Sequence, residues 1–191
     1  MYIVALNGSH NDDGNTAYLL KSILEKCNVR GAETEMINVY NAVSDAKTPF
    51  CTNCTTPCRK QCYKDSLLEE AYSKVTKADF VIIGSPVYFG SMSAQLKAFF
   101  DKTRALRAEK AWLAKPVAAV SVGASKYGGQ ERTIDAIHSC ALVSGMTIVG
   151  NSGECAMGHF GVSAQRPSCD DEYAKMAVDA LVDRIFAENN N

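Results

Sequence analysis

Residues 80–106 read FVIIGSPVYFGSMSAQLKAFFDKTRAL, and the fold class follows from them. Phe80–Gly84 is apolar throughout, with no alternation of polar and apolar side chains. A strand of that kind is buried on both faces, as in a parallel sheet covered by helices, whereas an antiparallel sheet with one wet face alternates. Pro86 and Gly90 break the run within Ser85–Ser93. Ser93–Leu106 then resumes at helical spacing, with Leu96, Phe99 and Phe100 on one face. The stretch is one strand–turn–helix unit.

The unit recurs on both sides. Tyr2–Leu6 is an apolar strand, and after Asn7–Thr16 the residues Ala17, Leu20, Leu24 and Cys27 mark a helix. Glu33–Tyr40 reads as a second strand that runs into a polar, cysteine-rich loop, followed by a helix over Ser66–Lys77. Pro116–Val122, the turn Gly123–Gln130 and the helix Glu131–Val143 form a further unit. Met146–Val149 is a short fifth strand. After an irregular stretch, Ala174, Ala177, Val178, Leu181, Val182 and Ile185 define a closing helix, and the Asn-rich tail is expected to fray. The pattern predicts an α/β fold: a flavodoxin-like doubly wound five-stranded parallel sheet with helices on both faces. One domain over residues 1–191 is expected, with a cysteine-rich insert at about 48–64.

Twenty Lys and Arg residues against 21 Asp and Glu give a net charge of −1, so there is no electrostatic case for nucleic acid or an anionic membrane. The N-terminus MYIVALNGS lacks the basic region of a signal peptide. No apolar run approaches the ~20 residues needed to span a bilayer. These features predict a cytoplasmic protein, in a reducing compartment where structural disulfides are disfavoured.

In such a sheet, ligands sit outside the carboxyl ends of the strands, so three turns should carry the chemistry. The first, NGSHNDDGNTA from Asn7, opens a helix whose free N–H groups suit a phosphate. It is neither a Gly-Lys-Ser/Thr loop nor G-x-G-x-x-G. Ser9, Asn15 and Thr16 supply neutral donors, His10 is a further contact, and Gly8 and Gly14 let the backbone curl closely. That chemistry favours a terminal monophosphate; the alternative is that these residues only cap the helix. In the second turn, Pro86 and Gly90 shape a loop whose Tyr88 and Phe89 offer planar contacts, either to a heterocycle or to an interface. The third, GASKYGGQERT from Gly123, brings Gly128, Gly129 and Gln130 toward the same place. Neither of the last two turns concentrates carboxylates, which suits an anionic reduced flavin.

GSHNDDGNTA, SPVYFGSMSAQLKAFFDK and GGQERT, in this order, resemble the NAD(P)H-dependent FMN reductase superfamily. The resemblance runs from Met1 to about Gly150. It implies FMN, with Ser9, Asn15 and Thr16 on the phosphate. Pro86, Val87, Tyr88, Phe89 and Gly90 would line the ring, with Gly123, Gly128 and Gly129 opposite. It also implies a homo-dimer or tetramer with flavins near subunit interfaces.

Four of the eight cysteines fall within residues 51–62, CTNCTTPCRKQC. The block resembles that of the iron–sulfur flavoproteins, although those more often show C-x2-C-x2-C and then a wider gap. Here Cys51, Cys54, Cys58 and Cys62 follow C-x2-C-x3-C-x3-C. Four thiolates on one short loop suit a [4Fe–4S] cube. Zinc more often takes two separated C-x2-C knuckles, and unligated redox-reactive thiols are the remaining reading. Arg59, Lys60 and Lys64 beside the block either offset cluster charge and dock an acidic carrier such as ferredoxin, or serve solubility.

Cys27 and Cys140 read as small core residues. Cys155 and Cys169 lie in the irregular stretch, and one reading of Cys155 is a role near the flavin. His138 and His159 have no visible partner. No catalytic triad is present, and a flavin enzyme needs none, because the cofactor carries the chemistry. The predicted function is an FMN-dependent oxidoreductase passing electrons from NAD(P)H or ferredoxin to an acceptor, through FMN and a [4Fe–4S] cluster. The alternatives are a cluster-free NAD(P)H-dependent FMN or quinone reductase, and a non-catalytic electron carrier or redox sensor.

Overall fold

The computed structural model describes residues 1–152 and 159–188. Its sheet is parallel throughout. Strand β1 (Tyr2–Asn7) lies between β2 (Glu33–Asn38) and β3 (Phe80–Pro86), and β4 (Pro116–Gly123) follows β3. The fifth position is shared by two pieces: β5 (Thr147–Ile148) pairs with the start of β4 at Pro116–Val117, and β6 (Val162–Gln165) pairs with its end at Val120–Gly123. The order is therefore β2-β1-β3-β4-β5, with β6 continuing the last edge.

Two cores explain why FVIIG is apolar throughout. Val81 and Ile83 point into one, built with α2 (Val39–Asp45), α3 (Leu67–Lys77), α4 (Ala94–Asp101) and α6 (Gln130–Val143). Phe80 and Ile82 point into the other, built with α1 (Asn15–Val29) and α7 (Glu172–Glu188). Leu20, Ile23 and Cys27 of α1 and Ala177, Val178 and Leu181 of α7 cover this second face and are buried.

The structure departs from the sequence reading at three elements. The second strand stops at Asn38, because the Asn38 carboxamide oxygen accepts from the Asn41 N–H (3.0 Å) and caps α2. The helix expected over Ser93–Leu106 divides into α4 and α5 (Arg104–Ala108): Thr103 Oγ1 donates to the Phe100 carbonyl at 2.7 Å, competing with helix continuation. The strand β6 lies in the stretch expected to be irregular. Only Val162 and Ala164 of its four residues are buried, too short an alternation to read. Gly161 permits its approach, since a Cβ there would lie 2.2 Å from the Ala119 carbonyl oxygen of β4. Cys155 and the Asn-rich tail from 189 lie outside the described residues.

Candidate functional site

The first turn is wound by its own side chains. Asn7 accepts from the Ser9 N–H at 3.0 Å and donates to the Asn11 carbonyl at 3.2 Å. Ser9 Oγ accepts from the Asn11 N–H at 3.1 Å, and Asn11 Oδ1 from the Asp13 N–H at 3.0 Å. The turn's carboxylates have partners of their own. Asp12 accepts from the Asn38 amide, and Asp13 pairs with Lys21 at 2.7 Å, which holds its carboxyl below the usual range. Helix α1 opens at Gly14 with no side-chain cap. Ser9 bonds within the turn, and Asn15 Oδ1 accepts from the Ser168 N–H at 2.8 Å, so neither acts as the cap. Ser9 and Thr16 are buried, Asn15 is half-buried and His10 is exposed.

The second turn is bolted to the first. Gly8 N–H donates to the Gly84 carbonyl at 2.8 Å, and a Cβ on Gly8 would lie 2.7 Å from that oxygen. Ser93 caps α4 by accepting from the Leu96 N–H (3.3 Å) and donates to the Gly8 carbonyl at 2.6 Å. Gln95 Nε2 donates to the same carbonyl at 2.9 Å. Sequence reasoning did not single out Ser93 or Gln95. A serine three residues before Leu96 is nevertheless a legible helix start.

Val87 N–H donates to the Val122 carbonyl at 2.9 Å, which fixes Pro86 and Val87 against β4. Beyond it, Tyr88 and Ser91 exchange backbone bonds of 2.9 and 3.1 Å around a two-residue tip. Phe89 (φ 50°) and Gly90 (φ 73°) both take left-handed conformations there, as a tight hairpin turn requires. Phe89 projects fully into solvent, and Tyr88 is also exposed.

The third turn closes on the second. A Cβ at Gly129 (φ 95°) would lie 3.3 Å from Val87 Cγ1 and 3.4 Å from Gly90 Cα. Gln130 Nε2 donates to the carbonyls of Ser125 (2.8 Å) and Ala164 (3.2 Å), and Arg166 N–H donates to Gly123 (3.0 Å). The strand β6 thus braces the turn, and Gly128 N–H donates to Ser125 within it at 3.1 Å. A cavity of about 880 Å³ lies beyond this turn, lined by Tyr127, Gln130, Arg132 and Tyr173. One of about 810 Å³ lies beside the hairpin, lined by Tyr88, Phe89, Met92 and Cys140.

The cysteine loop lies on the α3–α4 side. Arg104 donates to the Thr55 carbonyl at 3.3 Å and to Thr56 Oγ1 at 3.4 Å. Lys60 pairs with Glu109 at 2.7 Å, and Lys47 N–H donates to the Cys62 carbonyl at 3.0 Å. Beneath the loop, Tyr63 is buried with its ring 5.1 Å from that of Tyr72, edge to face. The Tyr72 hydroxyl donates to the Phe99 carbonyl at 2.7 Å, whereas the Tyr63 hydroxyl has no hydrogen-bond partner among the described residues. Burial pushes both phenols up, and the thiols of Cys58 and Cys62 act in the same direction on both; Cys51 does so on Tyr72. Cys51, Cys58 and Cys62 are half-buried, Cys54 is exposed, and all four are free.

Among the described residues, no three Cys, His, Asp or Glu side chains stand close enough together to hold a metal ion. The loop carries the ligand type of a [4Fe–4S] cluster, four free thiols, but among the described residues these are not gathered into a set that closes around one. Elsewhere, burial raises the Cys27 thiol to about 11 against the opposing charge of Arg30, so it is an inert core residue. Burial also raises Cys140, against Lys97, and Cys169 is exposed. His159 does have a partner, the Tyr173 hydroxyl at 2.8 Å.

Residues 1–160 match the family model of the NADPH-dependent FMN reductases. An iron–sulfur flavoprotein of Methanocaldococcus jannaschii is 37% identical over 163 residues, covering 84% of this chain and 81% of its own. An iron–sulfur flavoprotein of Methanosarcina thermophila is 34% identical over 188 residues, covering 97% and 93%. Among solved structures, the flavoenzyme NAD(P)H:(acceptor) oxidoreductase FerB of Paracoccus denitrificans superposes with a TM-score of 0.67 at 16% identity, covering 97% of each chain. That likeness is one of fold. Among the described residues no helix is long and apolar enough to cross a membrane. Three turns locked together at the carboxyl edge of a parallel sheet and the matches over most of the chain agree: the chain belongs to the NADPH-dependent FMN reductase family, in its iron–sulfur flavoprotein branch, and is a flavin-dependent oxidoreductase.

Proposed function

We propose that the three turns bind FMN and that the cysteine loop carries a [4Fe–4S] cluster, so that electrons from NAD(P)H or a ferredoxin-like carrier reach an acceptor through both. The observation that carries this reading is the uncapped N-terminus of α1 beside a first turn whose own polar groups are already satisfied. Free N–H groups at a helix start suit a phosphate. Thr16 and Ser9 would hold that phosphate, with His10 and Asn15 at its margin. Pro86, Val87, Tyr88, Phe89 and Gly90 would lie along the ring, with Gly123, Gly128 and Gly129 across from them.

When bound, FMN supplies hydride and electron chemistry and the cluster supplies one-electron transfer. The chain's part is to hold the ring against backbone that cannot rearrange, since Ser93, Gln95 and Gly129 fix the turns to one another. Cys51, Cys54, Cys58 and Cys62 would be the cluster ligands. Arg59 and Lys64 would remain for an acidic carrier, because Lys60 is engaged by Glu109. A homo-dimer or tetramer would cover the projecting Phe89. A cytoplasmic location, whose reducing poise would keep the loop thiols available as ligands, goes with this reading.

The test of the flavin site is Ser9→Ala with Thr16→Ala. Each lost hydrogen bond to the charged phosphate should weaken FMN by about 1.5–3 kcal/mol, and unchanged affinity would overturn the assignment. A second reading, a cluster-free reductase, is favoured by the thiols not being drawn into a closed set. Iron and sulfide analysis of anaerobically purified protein separates the two, since only the first predicts stoichiometric iron.

A further inference from the structure

Residues 165–171 form a strap from the end of β6 to the head of α7, beyond residue 160, where the family match ends. The strap is tied at three places. The Arg166 N–H donates to the Gly123 carbonyl of the third turn at 3.0 Å. The Ser168 N–H donates to Asn15 Oδ1 at 2.8 Å, and Asn15 is the first residue of α1. At the far end, the Asp171 carboxylate accepts from the Gln165 N–H at 2.9 Å and from the Ala174 N–H at 3.0 Å. The strap therefore joins the third turn to the start of α1.

The bond to Asn15 decides how that side chain acts. An N–H can be met only by the oxygen of a carboxamide, so Asn15 Oδ1 is committed to Ser168 and Nδ2 remains as a donor. An asparagine at a helix start ordinarily offers its oxygen to the free N–H groups there. In α1 no side chain caps the start, and Asn15 Nδ2 has no acceptor among the described residues. Ser168 is wholly buried, and its hydroxyl has no partner among the described residues either. Two residues in hydrogen-bond contact thus bring unmet donors to a helix start whose own N–H groups are unmet.

We infer that Ser168 is a positioning residue for the FMN phosphate: by engaging the Asn15 oxygen, it turns the Asn15 amide into a donor to that phosphate. This rests on the reading of the start of α1 as the phosphate site. A carboxamide free to rotate would present its oxygen to the anion in one of its two orientations. The strap sets the donor side before the ligand arrives, which lowers the cost of ordering it on binding. The phosphate then receives neutral donors only, from a segment on the far side of the sheet edge from the first turn.

The experiment titrates full-length protein, freed of flavin, with FMN and with riboflavin, which has the same ring and ribityl chain but no phosphate. The readout is the ratio of the two affinities, by calorimetry, beside the urea midpoint of each variant. Asn15→Asp keeps an oxygen for the Ser168 N–H but replaces the donor with a charge, so the ratio should fall by more than about tenfold. Its urea midpoint should not fall, because an acidic side chain suits a helix start. Ser168→Pro removes the N–H itself. Pro167 already has the extended ψ of 130° that a following proline requires, and the first position of a helical turn accepts proline. There the ratio should fall about tenfold. Equal wild-type affinities for FMN and riboflavin defeat the phosphate reading and this inference with it. A wild-type preference for FMN that either variant leaves unchanged overturns this inference alone. If Ser168→Pro does not fold, Asn15→Gln decides: it keeps the amide but carries it out of register with Ser168, and an undiminished ratio there overturns the positioning.

Discussion

The first turn and the cysteine loop are both polar stretches that follow a strand or short helix, yet they handle their polar groups in opposite ways. In the first turn, Asn7, Ser9 and Asn11 satisfy the backbone locally, and Ser93 and Gln95 tie the turn to its neighbour. The arc is formed before any ligand arrives. The cysteine loop is held from outside by Arg104 and Glu109, while the buried hydroxyl of Tyr63, next to Cys62, has no acceptor among the described residues. A site completed by its own chain is pre-organised, whereas one with open buried donors draws its final energy from what binds there.

Three predictions probe that contrast, and a fourth lies outside it. The largest effect is expected at the junction of the first two turns. Gly8→Ala forces a Cβ toward the Gly84 carbonyl and Leu96, so overpacking should cost about 1–3 kcal/mol by urea unfolding, and FMN should leave with it. A variant that unfolds at the wild-type midpoint would show that the turn has more freedom than its hydrogen bonds imply.

Ser93→Ala removes both a helix cap and the bond to Gly8, for a loss of about 1–2 kcal/mol. Thr55→Ala, in the cysteine loop, should cost under about 0.5 kcal/mol, because among the described residues its hydroxyl meets only the Arg59 N–H, at 3.3 Å. Equal losses would erase the contrast. Chelation of iron in the loaded protein offers a third probe. Proteolysis within residues 46–66 should accelerate while hydrogen exchange over the first turn stays the same. A uniform response would mean that the two regions fold as one unit.

The smallest effect concerns neither region. His138 on α6 is buried, and burial holds its imidazole below the usual value against the pull of Asp135. The unfolded chain then binds more protons than the folded one as pH falls, so stability should rise with pH up to about 6.5 and fall away below it. His138→Leu should flatten that slope in unfolding midpoints measured from pH 5 to 7.5, and an unaltered slope would assign it to other groups.

Much of this was legible beforehand because it follows from local periodicity. Val81 and Ile83 serve one core while Phe80 and Ile82 serve the other, and a strand buried on both faces has no polar position to hide. The three turns were legible for a related reason: Gly, Ser and Asn stand where the chain must bend closely at a strand end. The strand β6 was not legible. Its place beside β4 depends on Gly161 passing the Ala119 carbonyl, a contact 42 positions apart in the chain that no local pattern records.

Residue type at short range was enough for the parallel sheet, the three turns at its carboxyl edge, and the four thiols on one loop. Packing between distant segments was needed to show that Ser93 and Gln95 secure Gly8, that Gln130 braces β6, and that the buried Tyr63 and Lys102 have no acceptor among the described residues. Burial and hydrogen-bond satisfaction are properties of what packs around a group. A lysine ordinarily reads as solvated surface, and only the packing around the end of α4 buried Lys102.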